Sequence, residues 1–225
     1  MGQMMSDYDQ TIDYWDNVFN QAKLRRLDSE KSGYPLLDDA LDWLSASSST
    51  VLDFGSGSGA MLAYLAKRKD GHYHGIDVSP QAIDFSKRLF EMNHLTKGYF
   101  KVGSLASLSD YDSQSFDAII LSNVLDNIHL NDALTLIKET SRLLTPEGKL
   151  LIKLNPYYDN DAIANQDLKN LGDDFYLEPS GLFLLNKPDA FWLGVLEKDY
   201  TLHKQMKIFF TENQHNRMYL CIKKT

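Results

Sequence analysis

Val51-Leu52-Asp53-Phe54-Gly55-Ser56-Gly57-Ser58-Gly59-Ala60 decides how this chain is read. A short apolar run ends in three glycines at alternate positions, and Met61, Leu62, Leu65 and Ala66 follow at helical spacing. The pattern predicts a buried strand, a tight turn and a helix start. Glycine lets the backbone adopt angles closed to other residues and approach a ligand with no side chain between. Amides at a helix start attract carboxylate or phosphate. Gly55 to Ala60 also satisfies the loose dinucleotide-binding pattern, with Ala in last place. Asp53, two residues before the first glycine, is positioned to accept hydrogen bonds from turn amides or from a ligand's ammonium group.

Upstream, Tyr8, Ile12, Trp15 and Phe19 make one apolar stripe at helical spacing. A second helix is predicted over residues 34–44, with Gly33 and Pro35 marking its start. Downstream, strands at 51–54, 72–78, 99–102, 116–122 and 149–154 alternate with helices at 58–69, from Ser79-Pro80 onward, and at 130–144. Ser79 suits the cap and Pro80 the first helical position. The strand at 116–122 is almost wholly apolar, as expected when both faces are covered. Repeated strand–helix–strand units argue for a parallel sheet with helices on both faces. The ending differs. Residues 155–180 are polar, rich in Asn and Asp, and too long for an ordinary connection, which predicts a functional loop or insertion without a long element. A helix at 188–198 and a hairpin of strands 202–210 and 217–223, joined through 211–216, complete the chain.

The 225 residues are 43% hydrophobic, enough for a substantial core. Lys plus Arg number 23 and Asp plus Glu 31, a net charge of -8 that disfavours a nucleic-acid surface. One cysteine, Cys221, excludes an internal disulfide framework and fits a reducing, cytoplasmic setting. No membrane span, signal peptide or metal site is expected. Met1 to Ser6 matches a myristoylation pattern but reads better as an ordinary start or a cloning remnant. Composition carries no signal for oligomeric state.

Asp77 ends the second strand twenty residues after Gly57, the place for a carboxylate that holds ribose hydroxyls. Ser79 already fills the cap position, which leaves Asp77 for that task. Together these residues resemble the class I S-adenosylmethionine-dependent methyltransferases. The stretch 51–59 resembles that family's first motif, and Gly75-Ile76-Asp77-Val78-Ser79 its second. Residues 116–123 resemble its fourth strand and 143–150 its turn into the fifth. The resemblance runs from 51 to 154, and the closing strand pair fits the family's antiparallel ending. It implies an α/β fold: a doubly wound, Rossmann-like, seven-stranded and mostly parallel sheet in order 3-2-1-4-5-7-6, with N-terminal helices. It divides a single domain into a helical cap (1–50), a cofactor-binding core (51–154), an insertion forming the acceptor region (155–187), and a closing helix with the strand pair (188–225).

The resemblance also implies S-adenosyl-L-methionine as cofactor, with S-adenosyl-L-homocysteine as product. Gly55, Ser56, Gly57 and Gly59 would pass close to its methionine and ribose parts. Asp53 would sit near the ammonium, Asp77 on the ribose hydroxyls and Val78 against adenine. Ser104 stands where the family often has an acid that reads the adenine amino group, leaving the amide of Leu105 to serve. Asn123 would border both methionine and acceptor.

Methyl transfer from a sulfonium is an in-line displacement with a neutral leaving group. Alignment and exclusion of water are the main requirements, and a base is needed only for a poor nucleophile. The candidates for such a role are His129, Asp126 and Tyr14. His129 is the residue type most often used for such proton transfer, but reads better as a surface residue leading into the next helix. Asn155-Pro156-Tyr157-Tyr158 approaches the Asn/Asp-Pro-Pro-Tyr motif of amino-group methyltransferases. It departs at Tyr157 and follows the fifth strand rather than the fourth, so it reads as a loop whose tyrosines wall the pocket. The N-terminal stripe either packs on the sheet edge or closes as a lid, with Tyr8 or Tyr14 reaching in. The expected acceptor is a small molecule, with a protein acceptor left open. A nicotinamide-dependent oxidoreductase and a non-catalytic cofactor-binding regulator are the competing readings.

Overall fold

The computed structural model describes residues 8–211 and 215–225. The 1–6 pattern and residues 212–214 of the hairpin turn lie outside the described residues. Two helices come first, α1 (Asp9–Gln21) and α2 (Pro35–Ser45). Next come β1 (Thr50–Phe54), α3 (Ala60–Arg68), β2 (His72–Asp77), α4 (Pro80–Met92) and β3 (Gly98–Val102). A 3-10 turn (Leu105–Asp110) leads to β4 (Phe116–Ser122), α5 (Leu130–Leu143) and β5 (Leu144–Leu154). The insertion holds α6 (Asn160–Ala164), β6 (Lys169–Gly172), β7 (Phe175–Leu177) and β8 (Phe183–Leu185). The chain closes with α7 (Asp189–Leu196), β9 (Tyr200–Phe209) and β10 (His215–Lys223).

Seven strands form one sheet in the order β3-β2-β1-β4-β5-β10-β9. With β9 and β10 counted as sixth and seventh, this is the expected order. The first five strands pair in parallel, while β10 runs antiparallel to both β5 and β9. Alternation along each strand serves two covered faces. Val51, Ala118 and Ile120 pack under α2 and α3, while Leu52, Ile119 and Leu121 pack under α5 and α7. Each is at most 1% exposed, so a buried Leu or Ile here contributes roughly 1.5–3 kcal/mol. Ser79 caps α4 as expected, its Oγ accepting from the Ala82 amide at 3.0 Å. Among the described residues no helix is long and apolar enough to cross a membrane.

The insertion departs from expectation. It builds a second, antiparallel sheet in the order β6-β7-β8. Strands of three or four residues are too short to show an alternating pattern. The β6–β7 turn is made by Asp173 and Asp174 at φ 53° and 59°, a conformation that Asp tolerates better than most residues. Phe175, Phe183 and Leu185 anchor this small sheet in the core on the α5 side.

Candidate active site

The site forms where β1 and β2 end together. After Phe54 the chain turns back, and the amides of Gly55 and Ser56 both donate to the Ile76 carbonyl, at 2.8 and 3.0 Å. The Asp77 carboxylate is clamped between two turns: its Oδ2 accepts from the Gly57 amide at 2.8 Å and its Oδ1 from the Ser79 amide at 2.9 Å. Burial pushes the Asp77 carboxyl up, and the two amides pull it back. Gly55 has φ 74°, and a Cβ there would lie 2.4 Å from Val124 Cγ2, so this glycine is demanded by packing as well as by conformation. Gly57, at φ 51°, is different: its Cβ would meet only the ring of Phe19, at 3.3 Å.

Above the turn lies a cavity of ≈ 750 Å³, within the range of small-molecule sites. Asp53, the glycine turn, Asp77 and Val78 line it, as do Ser104, Leu105 and Asn123. Nine of the ten expected ligand-side residues thus line one cavity, and the tenth, Gly59, caps α3 next to Ser58 of its wall. Asp53 is 2% exposed and its Oδ1 has no hydrogen-bond partner. Burial holds its carboxyl well above the usual carboxylate range; nearby Asp77 adds to this and Lys153 opposes it. Asn123 sits at φ 55°, strained for a non-glycine residue although Asn tolerates it better than most. Its amide is fixed: Nδ2 donates to Asn155 Oδ1 at 2.7 Å and Oδ1 accepts from Asn216 at 3.0 Å.

Helix α1 covers the cavity, and Tyr8, Trp15 and Phe19 from its stripe line the roof. It is pinned at its start and at its middle. Asp16 Oδ1 accepts from Ser79 Oγ at 2.5 Å and from the Gln81 amide at 3.3 Å, placing an acid at the N-terminus of α4 where the helix dipole favours one. Tyr8 donates its hydroxyl to Asp132 Oδ2 at 2.5 Å and accepts from the His129 amide at 3.1 Å. Of the two tyrosines expected to reach in, only Tyr8 does. Tyr14 points to the outer side of α1, into a groove shared with Glu178 and Pro179.

The other two base candidates also lie off the cavity wall. The His129 ring packs against Phe175 and Phe183, with centroids at 4.7 and 5.0 Å. Asp126 is 1% exposed, and its Oδ2 accepts from the Asn155 amide at 2.5 Å. Burial pushes its carboxyl up to about 6. The reason is local geometry. After β4 the chain makes one turn, so that Asn123, Val124, Asn127 and Ile128 face the cavity while Leu125, Asp126 and His129 face the core behind it. Tyr157 is exposed, and Tyr158 is bonded through its backbone to Asn186. Neither walls the cavity, nor does any other residue from 155 to 187. The insertion expected to hold the acceptor instead packs behind and outside α1. Unexpected in the wall are Tyr34 and Leu37 from the α2 entry and Met61 and Tyr64 from α3. Met61 and Tyr64 stand three residues apart on one helix face, a spacing that also reads as ordinary helix packing.

Residues 51–148 match the family described as a methyltransferase domain. Over those residues the chain carries a methyltransferase domain, in the stretch that resembles the class I S-adenosylmethionine-dependent methyltransferases. It is 30% identical to the human EEF1A lysine methyltransferase 2 over 158 residues, 67% of this chain and 61% of that protein. It is also 30% identical to the ubiquinone biosynthesis O-methyltransferase of Xanthomonas oryzae pv. oryzae over 139 residues, 62% of this chain and 54% of that protein. The match thus spans little more than half the length of these curated relatives. In fold, the chain resembles magnesium protoporphyrin IX methyltransferase from Synechocystis, solved with bound S-adenosylmethionine: TM-score 0.69, 14% identity, 100% of each chain covered.

Proposed function

We propose that this protein transfers a methyl group from S-adenosyl-L-methionine to a small molecule, releasing S-adenosyl-L-homocysteine. The observation that carries the reading is Asp53, a buried carboxyl with an unpartnered oxygen in the wall of the glycine-turn cavity. An unpartnered buried acid is costly and calls for a ligand donor. The methionine ammonium is such a donor. The other walls fit the same group. Gly57 leaves its backbone bare toward the cavity, and Asp77 keeps lone pairs for two ribose hydroxyls beyond its two amide bonds. Val78 and Leu105 offer apolar surface for adenine.

When bound, the cofactor supplies a methyl carbon made electrophilic by a sulfonium, whose C–S bond breaks with its electron pair going to sulfur. The chain itself orients and shields. The turn and Asp77 fix the ribose, Asp53 fixes the ammonium, and α1 with its roof of Tyr8, Trp15 and Phe19 keeps water out. No step is assigned to a base, since His129, Asp126 and Tyr14 do not face the cavity; a proton carried by the methylated acceptor is lost to solvent after the product is released. The small-molecule reading is supported by the largely apolar, roofed cavity and by the O-methyltransferase relative. The relatives named above are methyltransferases, which favours this reading over a nicotinamide-dependent oxidoreductase. Cys221, single and buried, supports a reducing, cytoplasmic setting.

Calorimetric titration with S-adenosylmethionine and with S-adenosylhomocysteine tests the proposal, with Asp77→Ala as control. Both ligands should bind the wild type, and the variant should bind at least about tenfold more weakly. No binding by the wild type would sink the proposal. Tight binding without transfer across a broad acceptor set would turn it into the regulatory reading.

A further inference from the structure

We infer that the acceptor is a flat, uncharged aromatic molecule carrying no carboxylate or phosphate, bound against Tyr34, Leu37, Met61 and Tyr64. This inference rests on the methyltransferase reading. The cavity stretches across the top of the sheet, and its two ends differ. Gly103, Ser104 and Leu105 follow β3, at one edge of the sheet, and belong to the end assigned to adenosine. Tyr34 and Leu37 lie at the entry to α2, which packs on β5 and β9 toward the other edge. The Tyr34 ring meets Phe210, just after β9, edge-on at 5.1 Å. That end is left for the acceptor.

Its chemistry is narrow. Two tyrosine rings, a leucine and a methionine supply flat apolar surface, and aromatic rings favour a stacked or edge-on ring as partner. The polar atoms there are hydroxyls, from Ser32, Tyr34 and Tyr64. Burial pushes the Tyr64 phenol up, so it stays a neutral donor. Among the described residues of the wall there is no Lys, Arg or His. The sequence also contains none at 1–7 or 212–214. Lys153 is the cation that acts on Asp53, but its ammonium lies over the Phe210 ring at 6.0 Å and is not part of the wall. An anionic acceptor would therefore leave water without gaining a positive partner from the wall, whereas a neutral ring buries apolar area without that loss. The acids that line the cavity, Asp53, Asp77 and Asp132, offer an anion no positive charge.

The test uses the full chain saturated with S-adenosylhomocysteine, titrated calorimetrically at neutral pH with 1-naphthylamine, 1-naphthol and 1-naphthoate. The three share one ring and differ in charge. The two neutral probes should bind at least about tenfold more tightly than naphthoate. Tyr64→Ala should weaken them about fivefold while leaving the S-adenosylhomocysteine affinity unchanged. Leu37→Lys, which brings a cation to the wall, should strengthen naphthoate relative to the neutral probes. Met61→Lys serves the same purpose if Leu37→Lys loses S-adenosylhomocysteine binding. The inference is overturned if naphthoate binds as tightly as the neutral probes, if none of the three binds, or if Tyr64→Ala changes nothing. Failure of S-adenosylhomocysteine itself to bind would instead defeat the methyltransferase reading.

Discussion

Replacing Asp53 with Asn separates the cost of burying this acid from its use. Asp53 is 2% exposed, and burial holds its carboxyl well above the usual range. In the unfolded chain an Asp titrates at about 3.9. Below that pH both states hold the proton and the acid imposes no penalty. Between that pH and the raised folded value, the unfolded chain ionises while the folded protein stays protonated. The folded state then binds more protons, so stability falls as pH rises, by up to about 1.4 kcal/mol per pH unit. Above the folded value both states are ionised and the penalty is constant. Asn removes this slope. It adds a pH-independent cost of about 1–3 kcal/mol for an amide buried without partners. The difference in unfolding free energy, variant minus wild type, should climb from about pH 4 and then flatten, and the flattening point reads the folded pKa. Urea denaturation across a pH series measures it. The same variant should bind S-adenosylmethionine at least about tenfold more weakly, because a hydrogen bond to a charged group contributes about 1.5–3 kcal/mol. A stability difference that is flat with pH, or that falls, refutes the burial argument. Unchanged affinity refutes the ammonium contact.

Three further outcomes follow from the geometry. Gly57→Ala puts a side chain at φ 51°, a strain of about 1–2 kcal/mol that should lower the melting temperature by roughly 2–8 °C. Its cofactor affinity should drop by about tenfold or more, and wild-type affinity would mean that the backbone makes no close approach here. Asp16→Ala releases Ser79 Oγ and the Gln81 amide, and should destabilise the fold by about 1 kcal/mol while raising amide exchange along α1. Exchange in α1 that matches wild type would remove the argument that Asp16 pins the roof. Asp126→Asn and His129→Gln should each leave kcat within about threefold of wild type, because neither side chain faces the cavity. A collapse of kcat with unchanged melting temperature would restore that residue as a base.

The sheet, its order and the residues gathered around the glycine turn were legible in the sequence. Strand–helix alternation, the glycines at 55, 57 and 59, and the acids at 53 and 77 are local signals. A β1 strand ending in that turn has few ways to fold, and the pairing of β1 with β2 brings Asp53 and Asp77 to one cavity without further information. The far end of the cavity was not legible, because nothing local records which face a side chain will turn to. Asp126 and His129 follow β4 closely enough to look catalytic, yet one turn of backbone sends them into the core and leaves Asn123 and Asn127 at the wall. The insertion looked like the acceptor region because it is long and irregular, yet the packing of Phe175 and Phe183 holds it behind α1. Nothing local marks Tyr34, Leu37, Met61 and Tyr64 for the wall, and only the packing of α2 beside α3 makes them one. The sequence by itself determined the fold and the glycine turn, whose contacts lie within one or two adjacent strands. The roof over the cavity and the character of its far end were decided by tertiary structure, because they depend on long-range contacts such as Tyr8 with Asp132 and Asp16 with Ser79.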